Sequence, residues 1–238
     1  MFKIKAENLE KKYGTDDAAV KAVRDISLTV EAGDFISIMG ESGSGKSTLL
    51  AMLGALNTPS RGSYEVAEMN VYSLDVDRRA DFRREFIGFV FQSFHLVPYL
   101  SVAENVMLPL ANVDLPRKEK RAMADAALAK VGLKDKGDRL PNQISGGEAE
   151  RVAIARAIVN EPPILMADEP TGNLDSVTSK EIMRLLCDLN EQGMTIIMVT
   201  HSLECAMNAR RVIKISDGLI SEDIDNEQPN LEATLKAS

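Results

Sequence analysis

Short apolar runs alternate with amphipathic helical patterns along most of the chain. Runs rich in aliphatic and β-branched residues predict buried strands at residues 35–39, 87–91, 164–167, 196–200 and 212–215. Apolar positions at helical spacing predict helices at residues 47–56, 149–159 and 177–190. Because strands and helices alternate, we expect an α/β fold with a mainly parallel sheet.

Two segments depart from this alternation. Strand patterns joined by turns, at residues 2–9, 25–30 and 62–66, predict an antiparallel β subdomain packed on the parallel core. No strand pattern recurs between residues 93 and 144, and residues 118–131 have helical periodicity. We therefore expect an inserted α-helical subdomain there.

These patterns together predict one domain over residues 1–238. Residues 1–92 and 149–221 are expected to form the core with its antiparallel subdomain, and residues 93–148 the helical subdomain. Residues 222–238 are polar and acidic, which is typical of a loosely held tail.

Composition and charge narrow the class of protein. The 238 residues are 45% hydrophobic and carry a formal net charge of −8, a sign opposite to that expected of a protein that grips nucleic acid. We therefore expect no nucleic-acid partner, and we interpret the arginine pairs 78–79 and 83–84 as solvated helix faces. Cys187 lies in the apolar stripe of a predicted helix, and two cysteines fit a reducing compartment.

The length of the apolar runs limits how the chain can meet a membrane. No run approaches the roughly 20 residues needed to span a bilayer, and no signal peptide is expected. If the protein works at a membrane, a partner must hold it there.

The segment Gly-Glu-Ser-Gly-Ser-Gly-Lys-Ser at residues 40–47 matches the phosphate-loop pattern, between a predicted strand and a predicted helix. Glycines let successive backbone N–H groups point at phosphate oxygens, and the helix N-terminus adds its dipole. Lys46 would reach the β- and γ-phosphates, and Ser47 would offer its hydroxyl to Mg²⁺. A flexible serine-glycine turn is the alternative. The nucleotide-binding residues predicted here are Gly40, Ser42, Gly43, Ser44, Gly45, Lys46, Ser47 and Thr48.

Acidic and histidine side chains follow two other predicted strands. Asp168 ends one strand and suits a contact with Mg²⁺, while Glu169 beside it is placed to polarise an attacking water. Paired acids at the end of a buried strand rarely have a structural purpose, because unpaired buried charge is costly. His201 closes the strand at 196–200, and α/β folds bind ligands at the carboxyl ends of core strands.

The segment Ile-Ser-Gly-Gly-Glu at residues 144–148, with the helix that follows it, resembles the signature of the ATPase subunits of ABC transporters. The resemblance covers residues 2–220, and its other elements, in the family's order, are the phosphate loop, Gln92, residues 168–169, residues 172–175 and His201. It implies a P-loop NTPase (RecA-like) core that binds ATP and Mg²⁺ and hydrolyses ATP to ADP and phosphate.

The resemblance implies roles at single positions. Tyr13 would stack on adenine, with a strand-end tyrosine as the alternative. Gln92 would contact Mg²⁺ and the attacking water, Asp175 would communicate across a dimer, and His201 would bind the γ-phosphate. The implied catalytic residues are Glu169, His201, Gln92 and Lys46, and the implied metal ligands are Ser47, Gln92 and Asp168.

The resemblance also implies partners. In this family two copies sandwich two ATP molecules head to tail, so Ser145, Gly146 and Gly147 of one subunit would contact the nucleotide held by the other. A homodimer and an integral membrane permease subunit are therefore implied, with the chain at the cytoplasmic face of a bacterial inner membrane.

Within the family, the chain most resembles the lipoprotein-releasing and macrolide-exporting branch. The residues that carry this likeness are 87–98, 104–106, Pro109 and 169–175. Members of the branch drive mechanical events on the far side of the membrane. An apolar set just past Gln92 either docks the permease or belongs to the core of the helical subdomain, and it comprises Phe94, Leu96, Val97, Tyr99 and Leu100.

The signature departs from the family's usual residues at Ile144, Glu148, Ala149 and Glu150. These changes make the signature helix more acidic, and we expect an effect on dimer affinity. They leave the contacts expected from Ser145 and the two glycines in place.

Three other functions are compatible with an ATPase of this kind. A regulatory ATPase of a cell-division-type signalling complex without transport shares the same chemistry and stays open. A soluble ABC-type protein acting on ribosomes or DNA is disfavoured by the single cassette, the absence of a heptad run and the acidic balance. A solute importer is disfavoured because only a short tail follows Ile220.

Overall fold

Strands and helices alternate in the computed structural model, which describes residues 2–14, 19–226 and 229. The strands are β1 (Lys3–Tyr13), β2 (Val20–Glu31), β3 (Phe35–Met39), β4 (Arg61–Val66), β5 (Met69–Asn70), β6 (Ile87–Val90), β7 (Ile164–Asp168), β8 (Thr195–Thr200), β9 (Arg211–Ser216) and β10 (Leu219–Asp225). The α-helices are α1 (Lys46–Leu53), α2 (Val76–Phe86), α3 (Val102–Met107), α4 (Arg117–Lys130), α5 (Gly146–Ile158), α6 (Ser176–Glu191) and α7 (Leu203–Ala206). Short 3-10 helices lie at Val71–Ser73, Leu108–Leu110 and Pro141–Gln143.

The larger sheet has six strands in the order β10-β9-β3-β8-β7-β6. All neighbouring pairs from β9 to β6 are parallel, and β10 pairs antiparallel with β9. Alternate side chains of β8 enter two separate apolar clusters, with Ile196 in one and Ile197 in the other, because a buried parallel sheet has a covered surface on each face. The predicted α/β fold with a mainly parallel sheet is confirmed.

The smaller sheet is antiparallel, in the order β2-β1-β4-β5. Its apolar side chains, such as Ile4 and Val66, share a cluster with Ile38 of β3, so the sheet packs on the core as predicted. β1 continues past residue 9, where its apolar alternation ends, because its exposed last residues still pair with β2.

Helices α3, α4 and α5 form the helical layer predicted between residues 93 and 148. Their buried side chains, including Val106, Leu128 and Val152, share a cluster with Leu165 of β7. The layer is therefore joined to the sheet through one continuous core. α5 runs across the boundary that we expected at residues 148–149.

Helix α2 is not revealed by the apolar pattern, because Phe82 is its only buried residue. Two of its arginines are anchored to backbone carbonyls. Arg79 donates to Leu74 O at 3.1 Å and Arg83 to Ala55 O at 3.2 Å. The interpretation of these two side chains as a solvated face is therefore wrong.

The polar tail expected from residue 222 begins as a strand. Asp223 of β10 accepts two hydrogen bonds from Arg211 of β9, at 2.7 and 2.6 Å, and Glu222 pairs with Lys214 at 2.8 Å. Cross-strand ion pairs of this kind stabilise a strand whose own residues are polar. Most of the tail beyond Asn226 lies outside the described residues.

The longest helix in the described part of the chain is α6, with 16 residues. No helix there combines the length and the apolar character that crossing a bilayer requires. Cys187 lies on the buried face of α6, as predicted, and both it and Cys205 are free thiols.

Candidate active site

The glycine-rich segment at residues 40–45 joins the end of β3 to the start of α1, as predicted. Gly43 and Gly45 have φ angles of +80° and +101°, in the left-handed region that glycine adopts without steric cost. Gly40 is restricted by close packing instead, because a Cβ there would lie 2.2 Å from Ile215 O. Helix α1 ends at Leu53, three residues before the predicted end.

The Lys46 side chain folds back over the loop. Its Nζ donates to Glu41 O at 2.6 Å, and the same carbonyl accepts from Ser44 N at 3.2 Å. Lys46 is only 6% exposed. A buried ammonium group therefore lies against a glycine-rich turn, an arrangement suited to binding an anion.

Ser47 and Asp168 are brought together from separate elements. The Ser47 Oγ donates to Asp168 Oδ1 at 3.1 Å, from the first turn of α1 to the end of β7. Burial raises the pKa of the Asp168 carboxyl above its usual range, and the hydrogen bond from Ser47 opposes this shift. A hydroxyl oxygen and a carboxyl oxygen, both possible ligands of a metal ion, therefore lie side by side.

Glu169 and His201 meet at the ends of the neighbouring strands β7 and β8. The His201 Nδ1 lies 2.8 Å from Glu169 Oε2. Glu169 has a φ of +48°. Its N–H donates to Val199 O at 2.9 Å, and this hydrogen bond holds the Glu169 backbone against β8. The Glu169 carboxylate is mostly buried, with 17% of the side chain exposed, while 64% of the His201 side chain is exposed.

Gln92 follows β6 and lies close to Glu169. A Cβ at Gly172 would lie 3.3 Å from Glu169 Oε2 and 3.5 Å from Gln92 Nε2, so the two side chains flank this glycine. Asn173 Nδ2 donates to Gln92 O at 2.9 Å. The predicted catalytic residues Gln92, Glu169 and His201 are thus grouped at one edge of the sheet.

Sequence reasoning missed Arg156 of α5. It donates to Phe94 O and His95 O, both at 2.7 Å, and so holds the segment that follows Gln92. A charged residue within an apolar helix is the only local signal, because its acceptors are more than 60 positions away.

The apolar set past Gln92 has no single environment. Leu96 packs against the core cluster of the helical layer, whereas Tyr99 is 79% exposed. Both interpretations of the set, core and docking surface, therefore keep some support.

Tyr13 ends β1 and is 43% exposed. Its hydroxyl accepts a hydrogen bond from Asn57 Nδ2 at 2.6 Å, and the Lys11 ammonium lies 5.2 Å from the ring centroid. A cleft of about 590 Å³ adjoins the phosphate loop, and Tyr13 does not line it. The residues lining the cleft are Met39, residues 40–44, His201, residues 214–217 and Ser221. The adenine-stacking role of Tyr13 stays a prediction.

The signature residues form a second group, packed against the start of α6. Ser145 caps α5: its Oγ accepts from Glu148 N at 3.2 Å, and Glu148 Oε2 accepts from Ser145 N at 2.9 Å. A Cβ at Gly147 would lie 2.4 Å from Thr178 Cγ2. Asp175 caps α6 by accepting from the backbone N–H of Thr178 at 3.0 Å. These hydrogen bonds are local to the second group.

Glu150 does not add charge to the surface of the signature helix, contrary to expectation. The residue is 1% exposed, and its Oε1 has no hydrogen-bond partner among the described residues. Burial raises the pKa of Glu150 to about 8, with the charge of Arg156 opposing the shift. The carboxyl is therefore mostly neutral near pH 7.

We expect Glu150→Gln to stabilise the fold most at alkaline pH. The neutral carboxyl of the folded state ionises near pH 8, whereas the unfolded chain ionises at its ordinary value of 4.5. Folding stability of the parent therefore falls as pH rises from about 4.5 through 8, and the amide removes this loss, on the order of a few kcal/mol. Urea unfolding at pH 5 and pH 8.5 measures the difference. Glu191→Gln, at an exposed position, is the control, and an equal effect of Glu150→Gln at both pH values would contradict the assignment.

The fold and this site define a P-loop NTPase, with a strand–glycine loop–helix unit beside two acids at the end of β7 and a histidine after β8. A family model described as ABC transporter matches residues 23–172. The chain belongs to the ABC transporter family.

Two curated relatives show the level of similarity. The macrolide export ATP-binding/permease protein MacB of Rhodopseudomonas palustris is 46% identical over 90% of this chain and 33% of its own length. The pyoverdine export ATP-binding/permease protein PvdT of Pseudomonas fluorescens is 46% identical over 97% of this chain and 35% of its own length. The chain thus spans about a third of the length of these relatives.

Solved structures agree in fold. A dimeric post-hydrolysis state of the ATP-binding cassette MJ0796, bound to ADP and Pi, has a TM-score of 0.87 and 40% identity, over 94% of this chain and 99% of that one. The cassette cbiO1 of Clostridium perfringens, described as part of the transporter complex cbiONQ, has a TM-score of 0.85 and 29% identity, over 98% of this chain and 92% of that one.

Proposed function

We propose that this chain binds ATP and hydrolyses it to ADP and phosphate. The observation that carries the proposal is the meeting of two pairs, Ser47 with Asp168 and Glu169 with His201, at the carboxyl ends of β7 and β8. The phosphate loop lies at the end of β3, the strand next to β8. Phosphate-binding, metal-binding and proton-accepting groups therefore face the same edge of one sheet.

The residues present fit Mg²⁺. Hydroxyl and carboxylate oxygens are its preferred ligands, and it is usually held by one or two carboxylates together with substrate phosphates. Ser47, Asp168 and Gln92 would hold the ion, with Asp168 acting through water. When bound, the ion neutralises charge on the β- and γ-phosphates.

Different side chains of this chain are assigned different steps of ATP hydrolysis. Lys46 contributes a fixed positive charge to the phosphates. Glu169 accepts a proton from the attacking water, which Gln92 helps to orient. The Nδ1 of His201 lies 2.8 Å from the Glu169 carboxylate. His201 lines the same cleft as the phosphate loop, and there it would bind the γ-phosphate.

A second copy of the chain completes the site. Ser145, Gly146 and Gly147 would contact the ATP held by the partner, Asp175 would lie between the subunits, and Tyr13 would stack on adenine. Two observations support this proposal: the similar cassette MJ0796 is a dimer in its solved structure, and Ser145 and Gly146 are exposed on the surface of this chain.

The dimer is further proposed to drive an integral membrane permease from the cytoplasmic face of a bacterial inner membrane. Support comes from the relatives' names, which join an ATP-binding part to a permease, and from the chain's match to about a third of their length. Export or lipoprotein release is the activity proposed, and cell-division-type signalling without transport is the alternative.

Purification from detergent-solubilised membranes tests this proposal. We expect the tagged chain to carry with it one integral membrane protein with an extracytoplasmic domain, and the complex to hydrolyse ATP faster than the isolated chain. Stimulation by a lipoprotein or an exported compound supports transport. A complex whose turnover responds to no such compound favours signalling, and retention on ribosomes or DNA contradicts the proposal.

A further inference from the structure

The turn between β9 and β10 contacts the phosphate loop. Gly218 N donates to Ser44 O at 3.0 Å, and Gly218 O accepts from Arg24 N of β2 at 2.7 Å. Gly218 has a φ of +76°, after Asp217 with a φ of +51°. The backbone of a single residue, Gly218, therefore links β2 to the phosphate loop.

The same place is packed too closely for side chains. A Cβ on Gly45 would lie 2.1 Å from Ala22 O, and a Cβ on Gly218 would lie 2.9 Å from the same oxygen. This oxygen is a backbone atom, which cannot move aside as the end of a flexible side chain can. Three segments therefore meet here, and two of them carry a glycine at the contact. The phosphate loop has Gly45 and the β9–β10 turn has Gly218, and both face Ala22 of β2.

The bond from Gly218 determines the direction of one peptide group. In a planar trans peptide the C=O and the N–H point in opposite directions. Because Ser44 O faces Gly218, the N–H of Gly45 in the same peptide points away from the turn. Among the described residues this N–H donates to no protein acceptor, which leaves it available to an anion held by the loop.

We propose that Gly218 is a positioning residue for the phosphate site, acting by holding the Ser44–Gly45 peptide so that its N–H faces the bound phosphates. The inference rests on the proposed binding of ATP. It adds the β9–β10 turn, which lies more than 170 positions from the loop, to the parts of the chain that set nucleotide affinity.

Gly218→Ala tests the proposal. Alanine is strained at this φ and its Cβ meets Ala22 O, so the turn shifts and the peptide is released. Hydrogen bonds to charged groups are strong enough that we expect the Kd for MgATP and MgADP, and the KM for ATP, to rise about tenfold or more. The kcat at saturating ATP should change by no more than about a factor of two, because Glu169 and His201 are untouched.

Gly193→Ala is the matched control. Gly193 has a φ of +98°, and a Cβ there would meet no atom within 4 Å, so the variant reproduces the backbone strain without the contact. Equal ATP affinity in Gly193→Ala and Gly218→Ala, at equal melting temperatures, overturns the proposal.

A second measurement needs no variant. If the Gly218–Ser44 bond favours nucleotide binding, nucleotide must favour the bond by the same free energy. Hydrogen exchange of the Gly218 amide in the unmodified protein should therefore slow when MgADP is added. Unchanged exchange at Gly218, with slowed exchange in the loop, counts against the proposal. Absence of MgADP binding in the unmodified protein would instead refute the proposed function.

Discussion

Glu169→Gln is expected to lower ATP turnover about a hundredfold or more while leaving ATP binding intact. The amide keeps the size of the side chain and an acceptor for His201, but it no longer takes a proton from water, and general bases contribute at least this factor. Because ATP is then bound and not consumed, the closed dimer should accumulate. Steady-state ATPase assays and size-exclusion chromatography with and without MgATP measure the two effects.

Glu161→Gln is the matched control for this variant. Glu161 also has a positive φ, of +52°, and it precedes β7 whereas Glu169 follows the same strand. We expect normal turnover from Glu161→Gln. A Glu169→Gln protein that hydrolyses ATP at near the parent rate would falsify the assignment of Glu169 as the base.

Lys46→Ala is expected to weaken binding of ATP on the order of a hundredfold, because it removes the buried ammonium group next to the phosphates. The change also removes the hydrogen bond from Lys46 to Glu41 O, which stabilises the conformation of the loop. Isothermal titration with MgATP measures the loss. Lys130→Ala, at an exposed ion pair with Glu161, should bind ATP normally, and tight binding by Lys46→Ala would refute the phosphate-loop assignment.

The same variant reports on the second copy. Ser145→Arg should still bind ATP but should not form the closed dimer. Ser145 is exposed, and in the proposed dimer it would contact the nucleotide held by the partner. Mixing Lys46→Ala with Ser145→Arg restores one complete site, made of Lys46 from one subunit and Ser145 from the other. We expect ATPase activity to return on mixing; a mixture as inactive as its components would argue that the site is contained in one chain.

Features with a strong local pattern could be predicted from the sequence. The buried strands were found because their residues are apolar, and the grouping of Asp168, Glu169 and His201 followed from their places at strand ends. Helix α2 and strand β10 were missed because each buries almost nothing, and β10 depends on ion pairs with a neighbouring strand. The burial of Glu150 was also missed, because polarity alone does not show which side of a helix is covered.

Contacts between distant backbone segments leave no local pattern at all. Gly218 and Ala22 meet the phosphate loop only because two sheets pack around it, and Arg156 reaches carbonyls far away in the sequence. Glycine at 218 signals a turn, but nothing near it in the sequence indicates what the turn touches.

Helix α5 has a mechanical consequence. Ser145 caps its first turn, and Arg156 near its other end grips the segment after Gln92, about 16 Å along the helix axis. A helix of this length transmits displacement as a stiff rod. We therefore expect a pull on residues 94–95 to reach the surface that carries Ser145 through Arg156. The two hydrogen bonds of Arg156 share that load with Leu96, which packs against the same apolar cluster as α5.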